Sequence, residues 1–175
     1  MGDYLAEGSF GKVYKGYHRD TGKIVAVKQI SKNKMEENEL EVQNNEIELL
    51  KVIDHPNVVQ LVDYFEDPFS IYLVLEHLQG YNLMKFIADK QTMSQPVCKR
   101  IMRDIFTGLS YLHEIGIVHR DIKLDNIMMN VPTLETSIEY AIPKLIDFGL
   151  ATVLMPKETR TEGFGTIAYC SPEII

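Results

Sequence analysis

The run Ile117-Val118-His119-Arg120-Asp121-Ile122-Lys123-Leu124-Asp125-Asn126 crowds charged and amide side chains between apolar Val118 and Ile127. Such a run makes poor core and poor strand, so it reads as a rigid functional loop. Asp121 can accept a hydroxyl proton, and Asn126 offers an uncharged oxygen to a hard cation. Downstream, Lys144-Leu145-Ile146-Asp147-Phe148-Gly149 sets one carboxylate after a short apolar strand and just before a glycine that can turn sharply. Asp147 is therefore a candidate Mg²⁺ ligand, although Asp-x-Gly also occurs in ordinary turns.

Nearer the N-terminus, Leu5-Ala6-Glu7-Gly8-Ser9-Phe10-Gly11-Lys12-Val13 places two glycines at the tip of an expected hairpin. Missing side chains there let backbone N–H groups approach a phosphate, though a plain structural turn reads the same way. A P-loop is excluded, since Val13 stands where that motif needs Ser or Thr and Ala6 where it needs its first glycine. Lys28 follows the strand Val25-Ala26-Val27. Glu46 shares an apolar helical stripe with Val42, Leu50 and Ile53, and a carboxylate there is costly unless a cation meets it. Lys28 is the candidate partner, and the pair would hold an ammonium group at a fixed position facing phosphate oxygens.

The elements that must position these groups follow from periodicity. Strands are expected at Tyr4-Leu5, Val13-Tyr14 and Ile24 to Val27, forming an antiparallel meander. A helix is expected from about Met35 to Ile53, ending at Asp54-His55-Pro56. Two more strands are expected from Val58 to Phe65 and from Ile71 to Leu75, with the pattern turning helical for most of the rest. The longest helix runs from Ser94 as N-cap, through Pro96, to Glu114, with Val97, Ile101, Ile105, Leu109 and Leu112 on one face and Gly116 as its stop. Val131 to Pro143 reads as an inserted surface loop.

Composition sets the outer limits. The 175 residues are 45% apolar and 25% charged, ordinary for one soluble globular domain. With 18 basic against 25 acidic residues the net charge is −7, which argues against a nucleic-acid surface. Apolar runs fall far short of the ~18 residues of a membrane-spanning helix, and Met1-Gly2-Asp3-Tyr4 carries no leader pattern, so no membrane insertion is expected. Cys98 and Cys170 form no CxxC pair, which fits a reducing compartment and an intracellular, cytoplasmic location.

In order along the chain, Gly8-x-x-Gly11-x-Val13, Ala26-Val27-Lys28, Glu46, His119-Arg120-Asp121, Asn126, Asp147-Phe148-Gly149 and Ser171-Pro172-Glu173 together resemble the eukaryotic protein kinases. Lys123, two residues after Asp121, is similar to what the serine/threonine type carries, and the overall similarity leans towards calcium/calmodulin-dependent-like kinases. The resemblance implies an α+β, bilobal fold: residues 1–78 as an ATP-binding lobe and hinge, and 79–175 as a partial C-terminal lobe with the catalytic and activation loops but without its last helices. It implies ATP and Mg²⁺ as cofactors and a protein Ser/Thr hydroxyl as acceptor. By the same resemblance, Leu5 to Val13 would cover the nucleotide, Lys28 would hold the α- and β-phosphates, and Glu46 would orient Lys28. Val13, Ala26 and Met128 would sandwich the adenine, Leu75 would close the back of the pocket, and Glu76 and Leu78 would offer backbone groups to the adenine edge. Asp121 would accept the hydroxyl proton, Lys123 would steady the γ-phosphate, and Asn126 and Asp147 would bind two Mg²⁺ ions. Leu50, Leu61, His119 and Phe148 resemble the family's stacked regulatory column. Arg120 implies an anion on the loop between Asp147 and Glu173, and Glu162 is placed to serve as one, with Thr159 and Thr161 as further phosphosite candidates. Ala6 departs from the family's first glycine. The resembled fold continues past Glu173, so residues 1–175 alone are expected not to be a competent kinase. A partner-binding scaffold without transfer, and an inert fragment, are the alternatives.

Overall fold

Alternation of apolar and polar residues over the first thirty positions builds the first three strands, Tyr4–Gly8 (β1), Gly11–Tyr17 (β2) and Ile24–Ser31 (β3). The computed structural model describes residues 2–8, 11–33, 35–89, 92–131, 133, 138–155, 158 and 164–172. It resolves into two compact units, Met1–Ile53 with Val59–His77, and Asp54–Val58 with Leu78–Ile175.

In the first unit, β1 to β3 join Leu61–Glu66 (β4) and Ser70–Glu76 (β5) in an antiparallel sheet of order β1-β2-β3-β5-β4. β5 lies between two neighbours and buries Ser70 to Val74, whereas edge strand β4 leaves Val62, Tyr64 and Phe65 exposed. The strand expected from Val58 begins only at Leu61, because Val58 belongs to the second unit and bridges Leu145 there. Helix Glu37–Val52 (α1) starts where the Glu36 N–H donates to the Glu39 carboxylate at 2.9 Å. Its buried face runs through Gln43, Glu46, Ile47 and Leu50, with Leu49 and Ile53 beside it. Val42, expected on that face, is 40% exposed instead. The stripe is centred on the 43–46–47–50 row, and Val42 lies about 100° around the helix from Gln43.

The second unit carries Gly80–Asn82 (β6), helix Leu83–Ala88 (α2), helix Gln95–Glu114 (α3), Ile117–Val118 (β7), Ile127–Asn130 (β8), Ile142–Leu145 (β9) and Thr152–Val153 (β10). The Asn82 side chain caps α2 by accepting the Lys85 N–H. Ser94 is the α3 N-cap, Ile101, Ile105, Gly108 and Leu112 form its buried stripe, and Gly116 ends it at φ +76°. Val97 and Leu109, expected in that stripe, are half-buried at its margins.

Beyond Gly116 the described residues form only short strands and 3-10 turns, not the helices expected from the pattern. Apolar residues there come in pairs and triplets such as Ile117-Val118 and Ile127-Met128-Met129, too short to wind a helical stripe. Strands β6, β8 and β9 make one antiparallel sheet, and β7 pairs with β10. The expected surface loop also ends early: Ala141 is fully buried, and strand β9 begins at Ile142. Pro143 fits because β9 is an edge strand and needs no N–H at that point, while its carbonyl accepts from the Asn57 amide at 2.9 Å. Residues 132 and 134–137 of that stretch lie outside the described ones. Among the described residues, no helix is long and apolar enough to cross a membrane.

Candidate active site

Strand β3 sets Lys28 in register between Val13 of β2 and Leu73 of β5. Its Nζ lies 2.8 Å from Glu46 Oε1 and 3.1 Å from Oε2, and both residues are buried. The pairing inferred from the helical stripe is thus present within the first unit. At the hairpin tip Gly8 pairs with Gly11, Glu7 with Lys12 and Ala6 with Val13. Ser9 and Phe10 lie outside the described residues. Ala26 pairs with Leu75, and Glu76 is tied at the sheet's end to Gln60, whose N–H reaches the Glu76 carboxylate at 3.0 Å.

In the second unit, β7 delivers the chain into the loop at residues 119–126. His119 is buried and neutral. Its Nε2–H donates to the Ile146 carbonyl at 3.1 Å, its Nδ1 accepts the Asp121 N–H at 3.3 Å, and its ring lies 4.9 Å from that of Phe148. Burial lowers its pKa, outweighing the Ile146 carbonyl and the Asp147 and Asp121 carboxylates, which work the other way. Arg120, at φ +65°, turns the chain so that Asp121 follows.

Asp121 is held by three donors. Its Oδ1 accepts from Thr166 Oγ1 at 2.7 Å, and its Oδ2 accepts from Lys123 Nζ at 2.7 Å and from Asn126 Nδ2 at 2.9 Å. Burial penalises the charged form, but these hydrogen bonds together outweigh it and hold the carboxyl below the usual carboxylate range. The same contact with Asp121 raises the Lys123 pKa, against burial. Lys123 Nζ also reaches Thr166 Oγ1 at 3.1 Å. Thr166 went unread in the sequence. The signal for it is the neighbouring Gly165, at φ +117°, where an added Cβ would sit 2.9 Å from the Arg120 carbonyl oxygen, so only a glycine lets this segment lie against the loop.

The Asn126 amide spends its nitrogen on the Asp121 carbonyl and carboxylate, leaving its oxygen end as the acceptor. The Ile146 N–H donates to the Asn126 carbonyl at 3.0 Å, tying the segment that carries Asp147 to the loop at residues 119–126. Asp147 has φ +65°, and its Oδ1 is buried. A buried carboxylate oxygen and an amide oxygen suit Mg²⁺, which takes one or two protein oxygens and completes its shell from water and phosphates. Among the described residues no group of three His, Cys, Asp or Glu could hold a metal ion.

Met128 lies in β8 between Asn82 and Lys144, half-buried. Leu78 opens the long second segment of this unit. Lys28, Glu46, Val13 and Ala26 belong to one unit and Asp121, Lys123, Asn126, Met128 and Asp147 to the other. Thr159, Thr161, Glu162 and Glu173 fall outside the described residues.

Residues 2–175 match the family model described as Protein kinase domain. The chain is 36% identical over 173 residues to serine/threonine-protein kinase RAD53 of Saccharomyces cerevisiae, covering 99% of this chain and 20% of that protein. It is also 36% identical over 173 residues to probable serine/threonine-protein kinase fhkD of Dictyostelium discoideum, covering 98% of this chain and 23% of that protein. Over 176 residues it is 36% identical to the human hormonally up-regulated neu tumor-associated kinase, covering 98% and 24%. The chain thus spans about a fifth to a quarter of the length of these relatives.

Proposed function

The chain belongs to the protein kinase family, and on that premise we propose that it transfers the γ-phosphoryl group of ATP to a Ser or Thr hydroxyl of a protein, with Mg²⁺. The observation that carries this reading is the cluster of Asp121, Lys123, Asn126 and Thr166, one carboxylate with three donors within 2.9 Å of it, two of which, Lys123 and Thr166, also meet at 3.1 Å. Lys28, fixed by Glu46, holds the α- and β-phosphates, and the backbone of Leu5 to Val13 covers them. The family resemblance assigns adenine contacts to Val13, Ala26 and Glu76 of the first unit, and to Leu78 and Met128 of the second. Asn126 and Asp147 are the protein's ligands for Mg²⁺, which when bound neutralises charge developing on the phosphates.

The acceptor hydroxyl lies against Asp121. As its oxygen bonds to the γ-phosphorus and the bond to the β-bridging oxygen breaks, the hydroxyl proton passes to the Asp121 carboxylate. Lys123 neutralises the γ-phosphate oxygens. The depressed pKa makes Asp121 a weak base, which suits a loose transition state in which the attacking hydroxyl is oriented first and loses its proton late. Catalysis then rests on positioning and charge, and both are built into the loop by hydrogen bonds.

Within the serine/threonine class the resemblance leans towards calcium/calmodulin-dependent-like kinases. Both cysteines are free thiols, in keeping with work inside the cell, in the cytoplasm. The deciding experiment measures transfer of labelled phosphate from Mg²⁺-ATP to a panel of Ser, Thr and Tyr peptides. Incorporation into Ser and Thr peptides that vanishes in Asp121→Asn supports the reading, and nucleotide binding without incorporation would replace it with a scaffold role.

A further inference from the structure

The residues that follow Leu78 are held to strand β8 by more than a backbone ladder. Within the second unit β6 runs antiparallel to β8, with Gly80 opposite Asn130 and Asn82 opposite Met128. Gly80 has φ +132°, and a Cβ there would collide with the Met129 carbonyl oxygen, so only a glycine lets the two strands lie this close. Just before the ladder begins, both backbone groups of Gln79 are engaged. Its carbonyl accepts the Val131 N–H at 2.7 Å, and its N–H donates to the Asn130 side-chain oxygen at 2.9 Å. A regular antiparallel pair would return that N–H to the Val131 carbonyl, so the Asn130 side chain takes it over from the ladder.

The Gln79 N–H shares one peptide unit with the Leu78 carbonyl. That unit is planar and trans, so the two groups point in opposite directions and holding one aims the other. From this geometry we infer that Asn130 is a positioning residue: by holding the Gln79 N–H, its side-chain oxygen sets how the Leu78 backbone faces the adenine. The inference rests on the proposed function, in which Leu78 meets the adenine edge. Hydrogen bonds to a base edge depend on direction, whereas phosphates are held largely by charge. Asn130 therefore acts on the base and not on the phosphates. A merely structural role would act on both, because β8 starts at Ile127, directly after the proposed Mg²⁺ ligand Asn126.

Adenosine, which has the base and no phosphate, and Mg²⁺-tripolyphosphate, which has the reverse, are the probes. Both are titrated by NMR, which also reads amide exchange at Gln79. In Asn130→Leu the Kd for adenosine rises about three- to tenfold, the range of one hydrogen bond, while the Kd for Mg²⁺-tripolyphosphate is unchanged. Exchange at Gln79 quickens by a similar factor. Asn130→Asp keeps an acceptor oxygen and restores both adenosine affinity and slow exchange. Should Asn130→Leu not fold, Asn130→Ser, whose hydroxyl is too short to reach, shows the same losses. Unchanged adenosine affinity, an equal loss for tripolyphosphate, or no rescue by Asn130→Asp overturns the inference. A parent protein that binds neither probe removes the nucleotide reading itself, and the exchange rates then judge the hold on Gln79 alone.

Discussion

Lys28 and Glu46 form a buried ion pair, with the ammonium nitrogen 2.8 and 3.1 Å from the two carboxylate oxygens and the residues 8% and 2% exposed. Burying two charges is costly, so the pair is weak grounds for stability but strong grounds for a fixed lysine. Strand and helix each bring one partner, and loss of the lysine leaves the Glu46 carboxylate buried without its cation.

Lys28→Met should therefore destabilise the first unit by about 3–5 kcal/mol, because Glu46 stays buried and charged without its partner. The double variant Lys28→Met, Glu46→Leu should recover most of that loss in urea unfolding while still failing to bind Mg²⁺-ATP. A double variant as unstable as the single one would show that the pair contributes net stability of its own.

Asp121→Asn should lower kcat by about 10²–10⁴ while the nucleotide affinity changes less than about threefold, since the proposed function sets this group against the acceptor hydroxyl rather than the phosphates. Its folded pKa lies below the unfolded value, so the stabilisation is complete above the ordinary range near pH 4 and is lost as the pH falls through the folded value. Unfolding curves taken from pH 5 down to pH 3 should fall less steeply for Asp121→Asn than for the parent.

Histidine gives a prediction at milder pH. The buried His119 has a pKa below its ordinary 6.5, set by burial. Below pH 6.5 the unfolded chain takes up the proton and the folded ring resists it, so stability declines as pH falls from 6.5 towards the folded value. His55 and His77 shift the same way, also by burial, and add to the slope. His119→Phe, which cannot titrate, should be less stable at pH 7.5 for want of its two hydrogen bonds but should show a shallower decline to pH 5.5. Parallel curves would mean that His119 does not supply the slope.

The order of elements was largely legible because each follows a strong local pattern: the alternation in Ile24 to Val27, the cap and stripe of Ser94 to Glu114, the glycine stop at Gly116. The Lys28–Glu46 pair was legible because a carboxylate in an apolar stripe demands a cation. Misreadings came where a side chain's surroundings are set by distant chain. Val42 looks like core by type, yet the helix turns Gln43 inward. Ala141 and Pro143 carry loop-like composition, yet both are buried, and Asn57, far away in sequence, bonds the Pro143 carbonyl of strand β9. Thr166 carries no periodic signal at all, and its meaning comes only from lying beside Asp121.

Thr166 should tolerate Ser and not Val. Ser keeps an oxygen to donate to Asp121 and to accept from Lys123, whereas Val has the shape and neither bond. Thr166→Val should cost roughly tenfold in kcat, about one charge-assisted hydrogen bond, and should bring the apparent pKa of Asp121 nearer the ordinary carboxylate value. Thr166→Ser should stay within about threefold of the parent, a margin below one such bond. Equal rates for Ser and Val variants would place the importance of this residue in its volume alone.

Asn57 is the far-reaching link in the second unit. Its side-chain nitrogen donates to the Pro143 carbonyl at 2.9 Å, its own carbonyl accepts the Leu145 N–H at 2.8 Å, and its N–H donates to His55 Nδ1 at 3.1 Å. Strand β9 is thereby fixed two residues before Asp147. Asn57→Ala leaves the Pro143 carbonyl buried and unsatisfied, which costs about 1–3 kcal/mol. Asn57→Asp should cost more, because a carboxylate oxygen would then face that carbonyl instead of a donor. The Pro143 carbonyl then lacks its donor, and the loosening should reach Asp147 as a weaker dependence of nucleotide binding on Mg²⁺. Urea unfolding of the two variants together with Mg²⁺ titrations of nucleotide binding tests this. An Asn57→Ala protein within about 0.5 kcal/mol of the parent, the scatter of ordinary surface substitutions, and with unchanged Mg²⁺ dependence, would show that backbone bonds hold β9 without the Asn57 side chain.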